Sequence, residues 1–323
     1  MSRAWTADES ALDLFARRPV RGFRTGLRFM DDAVIGASMA SATVPLSARG
    51  DADSSGYQPR QVVEISGDDA TPKLLVLLHV VATFLVRSGD REGGHERVYL
   101  FDHECDASAP LLFRIVCAKL RARGVDISTA KERARRALER VTLYRCRDTF
   151  QWLATLNQLH FELLEATPAP FLLAFHTVGS FQPIDKMVAK SVGDGLALVD
   201  QVFVLLKQFI HLHSPFVFAT KTTSGAARNG WDTAEFMPRS WSSQVDKRIQ
   251  LRCGQPPKSE APRITLFESR SFWQGKSCIS TVQVDGLELI EAETESKVPI
   301  QTDPPASLAL LESDTNAADL WMQ

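Results

Sequence analysis

The sequence has few cysteines, no long apolar run and no strong excess of charge of either sign. Its five cysteines lie far apart and form no C-x-x-C pair, which favours a reducing compartment over a disulfide framework. The longest apolar run, residues 74–86, is too short to span a bilayer and contains His79 and Thr83. The formal net charge of −2 predicts no general attraction to polyanions. The N-terminus also lacks the apolar stretch of a signal peptide. We therefore expect a soluble, intracellular protein without membrane contact.

Short apolar stretches alternate with longer stretches whose apolar residues recur at helical spacing. The predicted strands are 61–66, 97–102, 141–146, 170–176 and 215–220, and the predicted helices are 74–87, 108–123, 149–165 and 192–211. Such alternation predicts an α/β fold with a parallel sheet covered on both faces. After about residue 240 three strand-like stretches follow closely, which predicts an antiparallel extension of the sheet.

Composition divides the chain into three parts. Residues 61–290 carry the regular pattern and form the predicted core. Residues 1–60 are mixed in composition and are predicted to be a linker or a segment that docks on a partner. Residues 291–323 hold seven acidic residues against one lysine, with two adjacent prolines. That composition cannot bury enough apolar surface to fold alone, which predicts a disordered acidic tail.

The stretch GDDATPK, residues 67–73, lies between the first predicted strand and the first predicted helix. A phosphate-binding loop, G-x-x-x-x-G-K-[ST], occupies the same place in nucleotide-binding proteins. Its amides and helix N-terminus hold phosphate, and its lysine reaches the outer phosphates. Gly67, Thr71 and Lys73 are therefore candidate ligands for ATP. Pro72 stands where the second glycine belongs and has no N–H to donate.

Two further positions depart from a magnesium–ATP site. Leu74 replaces the hydroxyl residue that ligates magnesium. The later buried strand that should end in an aspartate ends in His176, a poor magnesium ligand. Each lost charged hydrogen bond costs roughly 1.5–3 kcal/mol, so these losses would weaken nucleotide binding by several decades. Two interpretations stay open: a strand–turn–helix that keeps only the geometry, which we favour, and a weak ATP–magnesium site.

Several stretches, in their order and spacing over residues 1–290, resemble a RecA-type recombinase core of the eukaryotic kind. Within that group the chain is similar to the recombinase paralogues that assist homologous recombination. It is most similar to the X-ray-repair cross-complementing type that lacks an N-terminal helical domain. The stretches are ADESALDLFAR, QVVEISGDDATPKLL, RVYLFDHE, PFLLAFHTVGSF, PFVFATKTT, MPRSWSSQVDKRIQLRC and RITLFESRSFW.

The resemblance implies a RecA-like P-loop core with a mostly parallel central sheet, helices on both faces and a C-terminal antiparallel extension. It places Glu104 where the family has its catalytic glutamate, and Thr222 where the family has a nucleotide-sensing glutamine. It also implies a subunit that docks on another recombinase paralogue and supports recombinase on single-stranded DNA. Because the phosphate-loop residues depart from the family, we expect little or no ATP hydrolysis. The expected location is the nucleus, with the cytoplasm as a second location.

By the same resemblance two loops, residues 177–195 and 221–241, face DNA. The basic residues predicted to bind DNA are Lys186, Lys190, Lys221, Arg228 and Arg239. Basic residues interleaved with aromatic residues suit phosphate neutralisation and base stacking on single strands. Acidic residues in both loops dilute this charge, so surface loops without nucleic-acid contact are the alternative.

Three other interpretations remain open. Residues 119–147 hold ten lysines and arginines, which form either a DNA or acidic-partner surface or a solvated helix face. Lys73 and Glu104 could serve a divergent ATPase. The chain could also be a scaffold similar to the catalytically silent ring of the Elongator complex. The histidines lack the spacing of a structural zinc site, so no metal site is predicted.

Overall fold

The computed structural model describes residues 22–31, 56–88, 96–166, 169–188, 192–223, 237–253, 265–273 and 276–291. Predictions for residues 1–21 and 32–55 lie outside these ranges. So does the predicted acidic tail, except for Glu291, which ends the last strand. Among the described helices none has the length and apolar character needed to cross a membrane.

The described residues form one nine-stranded sheet in the order β3-β2-β4-β5-β1-β6-β7-β8-β9. The pairs among β1 to β6 are parallel, and β6 to β9 pair antiparallel. The strands are β1 Val62–Gly67, β2 Arg97–Asp102, β3 Val141–Tyr144, β4 Phe171–His176, β5 Phe216–Thr222, β6 Val245–Cys253, β7 Thr265–Trp273, β8 Lys276–Asp285 and β9 Glu288–Glu291.

Helices connect the parallel strands, as the alternating sequence pattern predicts. In the described part of the chain they are α1 Lys73–Ser88, α2 Ala109–Ala122, α3 Ile127–Leu138, α4 Thr149–Glu165, α5 Gln182–Val188, α6 Val192–His213 and α7 Arg239–Ser242. The prediction of a mixed α/β fold with a mostly parallel sheet and antiparallel C-terminal strands is thus confirmed. The prediction of a loop over 177–195 is wrong for residues 182–188, which form α5, and for residues 192–195, which begin α6. The prediction of a loop over 221–241 is wrong for residues 221–222, which end β5, and for residues 239–241 of α7.

The central strands β1, β4 and β5 are buried on both faces because two apolar clusters cover them. Val63 and Ile65 of β1 belong to the cluster that contains α1, α2 and α3. Val62 belongs to the cluster that contains α4 and α6. Because neighbouring residues of a strand point to opposite faces, a strand buried on both faces needs apolar residues at almost every position. This requirement explains the continuous apolar runs of β1, β4 and β5.

Part of the predicted N-terminal segment packs into the core. Phe23 is buried, its backbone bridges to Tyr57, and its ring lies 5.3 Å from the ring of Phe84 in α1. Lys247 of β6 is also buried. Its Nζ donates hydrogen bonds to the carbonyl oxygen of Met30 and to the Tyr57 hydroxyl at 2.9 Å. The described stretches 22–31 and 56–60 are therefore joined to the same sheet as the predicted core.

Burial of His79 in α1 predicts a pH dependence of stability. His79 is 7% exposed, and its Nε2–H donates to the Leu287 carbonyl oxygen at 2.7 Å. Burial, with a smaller effect of Lys119, lowers the pKa of His79 to about 4. The unfolded chain therefore takes up a proton below about pH 6.5 that the folded chain takes up only near pH 4. We predict that this residue makes the free energy of unfolding fall by about 2 kcal/mol between pH 7.5 and pH 5.0.

Urea unfolding at the two pH values measures this loss. His79→Gln keeps a donor toward Leu287 but does not titrate, so its loss between pH 7.5 and 5.0 should be smaller than that of the wild type. Since other buried histidines also titrate, the quantity to compare is the difference between the two proteins. Equal losses in both would contradict the prediction.

Candidate active site at the carboxyl edge

Four neighbouring parallel strands end at the same side of the sheet, and polar residues collect there. We call this region the carboxyl edge and define it by residues 67–73, 102–107, 176–178 and 220–223. Asp102 lies opposite His176 in the β2–β4 register, and Gly67 lies opposite Thr222 in the β1–β5 register. The edge outside the carboxyl ends of parallel strands is where open α/β sheets bind ligands.

The loop between β1 and α1 is closed, by which we mean that its side chains form hydrogen bonds to the backbone of the same loop. The carbonyl oxygen of Asp68 accepts hydrogen bonds from the Thr71 amide at 3.3 Å and from the Thr71 hydroxyl at 2.7 Å. It also accepts one from the Nζ of Lys73, which is only 5% exposed. Two of the three residues predicted to hold phosphate, Thr71 and Lys73, are thus bonded to the loop itself.

Gly67, the third predicted phosphate ligand, is required by close packing. A Cβ atom at this position would overlap the Thr71 hydroxyl and lie 2.9 Å from the Leu251 carbonyl oxygen of β6. Its φ is not in the left-handed region, so backbone freedom is not the reason for the glycine. The close approach of β6 and of the closed loop explains this residue without a nucleotide.

The charges around Lys73 disfavour a polyanion. Burial lowers the pKa of Lys73, whereas Asp69, Asp68 and Glu104 act in the opposite direction. Because these carboxylates lie near the lysine, a triphosphate would bring further negative charge to an already acidic edge.

The residues present do not fit a magnesium–triphosphate pair. Pro72 immediately precedes α1. Its carbonyl oxygen accepts a hydrogen bond from the Val76 amide at 3.0 Å, but it has no N–H to offer phosphate. Leu74 has no oxygen to offer magnesium. At the end of β4 the imidazole of His176 takes the place of a carboxylate.

The end of β2 holds a buried carboxylate that shapes the following turn. Asp102 is fully buried, and its side chain accepts hydrogen bonds from the Asp106 amide at 3.2 Å and the Ala107 amide at 3.0 Å. The Nε of Arg145 lies 3.6 Å from the same carboxylate. This turn presents Glu104, the predicted catalytic residue, and Asp106 at the surface of the edge.

His176 lies beside that turn. It is 3% exposed, and its Nδ1 lies 3.0 Å from the Thr220 hydroxyl oxygen of β5. Its Nε2 lies 3.7 Å from the Glu104 carboxylate. Burial lowers the pKa of His176, although Glu104 acts in the opposite direction. The imidazole is therefore neutral near pH 7, and it faces two carboxylates rather than a phosphate.

A buried ion pair at the centre of the sheet is a feature that sequence reasoning missed. Glu64 of β1 is fully buried. Its carboxylate lies 3.2 Å from the Nζ of Lys221 and 2.8 Å from the Nε of Arg248, the latter as an ion pair rather than an aligned hydrogen bond. The Trp241 indole N–H donates to the other oxygen at 2.7 Å. The signal was present in the sequence as a glutamate inside the apolar run VVEIS.

This ion pair places Lys221, one of the predicted DNA-binding residues, in the interior. Removing one partner of a buried ion pair typically costs roughly 3–5 kcal/mol, so Lys221 and Glu64 are important to the fold.

Among the other residues predicted to bind DNA, Arg239 is exposed at the start of α7. Lys186 lies in α5, but its side chain is outside the described part, as are Lys190 and Arg228 entirely. Their contact with DNA stays a prediction.

The basic stretch 119–147 covers the end of α2, all of α3 and β3. Arg135 and Arg136 of α3 are exposed, and both lie near Glu132, at 4.0 Å and 3.2 Å. Exposed pairs of this kind contribute little to stability. The helix therefore presents a solvated charged face, and its use as a partner surface stays a prediction.

Neither the protein-family models nor the curated proteins compared with this sequence match it. The structure defines the protein as a mixed α/β protein with a mostly parallel sheet. Its distinguishing feature is the arrangement at the carboxyl edge, where the closed strand–turn–helix loop lies beside a histidine and two carboxylates.

The closed loop predicts that Gly67→Ala destabilises the protein by roughly 1–3 kcal/mol, as overpacking usually does. Thr71→Ala alone should cost about 1 kcal/mol through the lost hydrogen bond. The double variant should lose less than the sum, because removing the hydroxyl relieves one of the two overlaps. Urea unfolding of the four proteins measures the coupling, and strictly additive losses would contradict the closed geometry.

Proposed function

We propose that this protein is a recombinase paralogue subunit that acts in DNA double-strand break repair by homologous recombination. It docks on a partner recombinase paralogue and supports recombinase on single-stranded DNA, with little or no ATP hydrolysis of its own. Its place of action is the nucleus, with the cytoplasm as a second location. The motif resemblance over residues 1–290 is the source of this proposal, and two structural observations support it.

The first supporting observation is the closure of the loop over residues 67–73. The lysine that would reach phosphate and the threonine beside it both donate to the Asp68 carbonyl oxygen. A RecA-like subunit that kept the strand, turn and helix but lost its use of nucleotide would have this geometry. This observation carries the proposal of a non-hydrolysing subunit.

The second supporting observation is the adjacency of β4 and β5. The two strands are parallel neighbours, with Phe175 opposite Ala219. The segments that follow them therefore leave the sheet side by side, and the Val178 amide donates to the Thr220 carbonyl oxygen at 2.9 Å. These segments begin the two stretches predicted to face DNA, and their described first residues lie side by side, which supports a role in one common surface.

The closed loop predicts weak nucleotide binding. We expect the purified protein to bind magnesium–ATP with a Kd above about 10 µM, which corresponds to a binding free energy weaker than roughly −7 kcal/mol. Lys73→Ala should leave that weak binding unchanged, because Lys73 is bonded to the loop. Equilibrium titration with a fluorescent ATP analogue measures both. Tighter binding that Lys73→Ala abolishes would support a divergent ATPase instead.

A restored variant sharpens this test. Pro72→Gly combined with Leu74→Thr and His176→Asp returns the amide, hydroxyl and carboxylate that a magnesium–triphosphate site uses. The combined variant should bind magnesium–ATP at least about tenfold more tightly than the wild type, a difference of about 1.4 kcal/mol. No gain would mean that features other than these three residues exclude nucleotide.

The proposed partnership is tested by co-purification of the tagged full-length protein from cells, with and without DNA damage. We expect a second recombinase-like protein in stoichiometric amount, since the proposed subunit acts only within a complex. An unrelated tagged protein of similar size serves as the control. Recovery of no recombinase-like protein under either condition would reject the proposed function.

A further inference from the structure

We propose that Glu104, Asp106 and His176 bind a divalent transition-metal ion, with Zn²⁺ as the favoured ion. One ligating atom from each of the three side chains lies within 4.8 Å of the others. The sequence does not predict this group, because His176 is distant in the chain from the two acidic residues. The sheet brings them together, and the site is independent of the proposed role in recombination.

The strand register determines the position of the three residues. Asp102, the last residue of β2, lies opposite His176, the last residue of β4. The turn after β2 is held by the Asp102 carboxylate, which accepts the amides of Asp106 and Ala107. Glu104 and Asp106 are therefore held on a defined turn beside the histidine.

The ligating atoms have no competing hydrogen bonds from the described residues. The side chain of His176 is buried, and its Nε2 lies 3.7 Å from the Glu104 carboxylate. The same part of the chain donates no hydrogen bond to the side-chain carboxylates of Glu104 and Asp106. An imidazole nitrogen of a buried histidine beside two carboxylates is a set of ligating atoms that suits a divalent transition-metal ion.

The second ring nitrogen of His176 has the partner that metal-binding histidines need. Its Nδ1 lies 3.0 Å from the Thr220 hydroxyl oxygen. When Nδ1–H donates to this oxygen, the lone pair of Nε2 points toward the two carboxylates. Such outer partners orient the ring of a metal-binding histidine and select its tautomer. The Thr177 amide also donates to the Thr220 hydroxyl, at 2.7 Å, and thereby positions it.

The distances suit a small ion after a modest adjustment. Bonds of about 2.0–2.2 Å to Zn²⁺ in tetrahedral geometry place ligand atoms about 3.3–3.6 Å apart. The Glu104–His176 distance of 3.7 Å is close to this separation. Glu104 and Asp106 are exposed, so their side chains can move to close the remaining gap while His176 stays in place.

The donor set selects the type of ion. Imidazole nitrogen suits Zn²⁺ and its first-row neighbours, whereas Mg²⁺ prefers an all-oxygen shell. The two carboxylates balance the charge of a divalent ion. The nearby positive charge of Lys73 opposes binding, but Lys73 is itself near Asp68 and Asp69. Three protein ligands leave a fourth position open, as in zinc sites that bind water or a further ligand.

Calorimetric titration of the chelator-treated full-length protein tests this proposal. We expect about one equivalent of Zn²⁺ to bind, and no comparable binding of Mg²⁺ at the same concentration. Glu104→Gln, Asp106→Asn and His176→Asn should each weaken Zn²⁺ binding by about tenfold or more. Glu165→Gln is the matched control: it removes the same charge from an exposed carboxylate at the end of α4, on the side of the sheet where β4 begins, and should leave the affinity unchanged.

Cys105 is exposed and lies next to Glu104 in the chain. The experiment must therefore distinguish metal binding by the Cys105 thiolate from metal binding by the three proposed ligands. Cys105→Ser should retain the bound equivalent, and Co²⁺ in place of Zn²⁺ should give no thiolate charge-transfer absorption. Loss of binding in Cys105→Ser, or unchanged binding in Glu104→Gln, would overturn the proposal. Absence of a bound Zn²⁺ equivalent in the wild type would do the same. Because Glu104 is exposed, Glu104→Gln should fold normally even if His176→Asn does not, and urea unfolding checks this.

Discussion

Burial of the central parallel strands on both faces limits where polar chemistry can occur in this protein. Within β1, β4 and β5 a polar side chain has to find its partner inside the protein, because an isolated buried charge is costly. Glu64 meets this requirement with Lys221, Arg248 and Trp241. Such a buried network contributes to the specificity of strand pairing, since a shift of β5 or β6 against β1 would leave the carboxylate without its cations.

In β1, β4 and β5 the other polar residues lie toward the carboxyl edge, where the strands end. The strand–turn–helix loop at this edge has the outline of a phosphate-binding loop but a different hydrogen-bond pattern. Its lysine and threonine donate to the Asp68 carbonyl oxygen, and this interaction stabilises the turn without a ligand. The loop therefore contributes to the fold in a place where related geometry in other proteins serves nucleotide chemistry.

The imidazole of His176 at the end of β4 affects which ligands the edge can attract. Around Lys73 the side chains of Asp68, Asp69 and Glu104 make the surroundings acidic, which disfavours phosphate groups. A neutral imidazole beside two carboxylates favours a cation instead. The acidic surroundings that disfavour phosphate groups and the proposed binding of a transition metal thus concern neighbouring residues of the same edge. The weak binding of nucleotide and the binding of metal can be tested separately, because the two titrations use different sets of variants.

Local sequence determined much of the secondary structure and the fold class. Apolar runs bounded by turn residues predicted β1, β2, β4 and β5 closely, because a strand buried on both faces has little freedom in composition. The loop over 177–195, which was taken from the resemblance, was wrong at α5, because a helix of seven residues is too short to give a clear periodic pattern. The apolar pattern also overlooked Glu64, because a single charge in an apolar strand has no local signature of its partners on β5 and β6.

Which of the candidate residues lie close to one another was decided by tertiary structure alone. The sequence identified Gly67, Lys73, Glu104 and His176 one at a time, from their positions after predicted strands and from a resemblance. Only the order and register of the strands placed Glu104 and Asp106 beside His176, and Lys221 against Glu64. Side-chain neighbours from different strands depend on how distant segments pair, and this pairing is a property of the whole sheet.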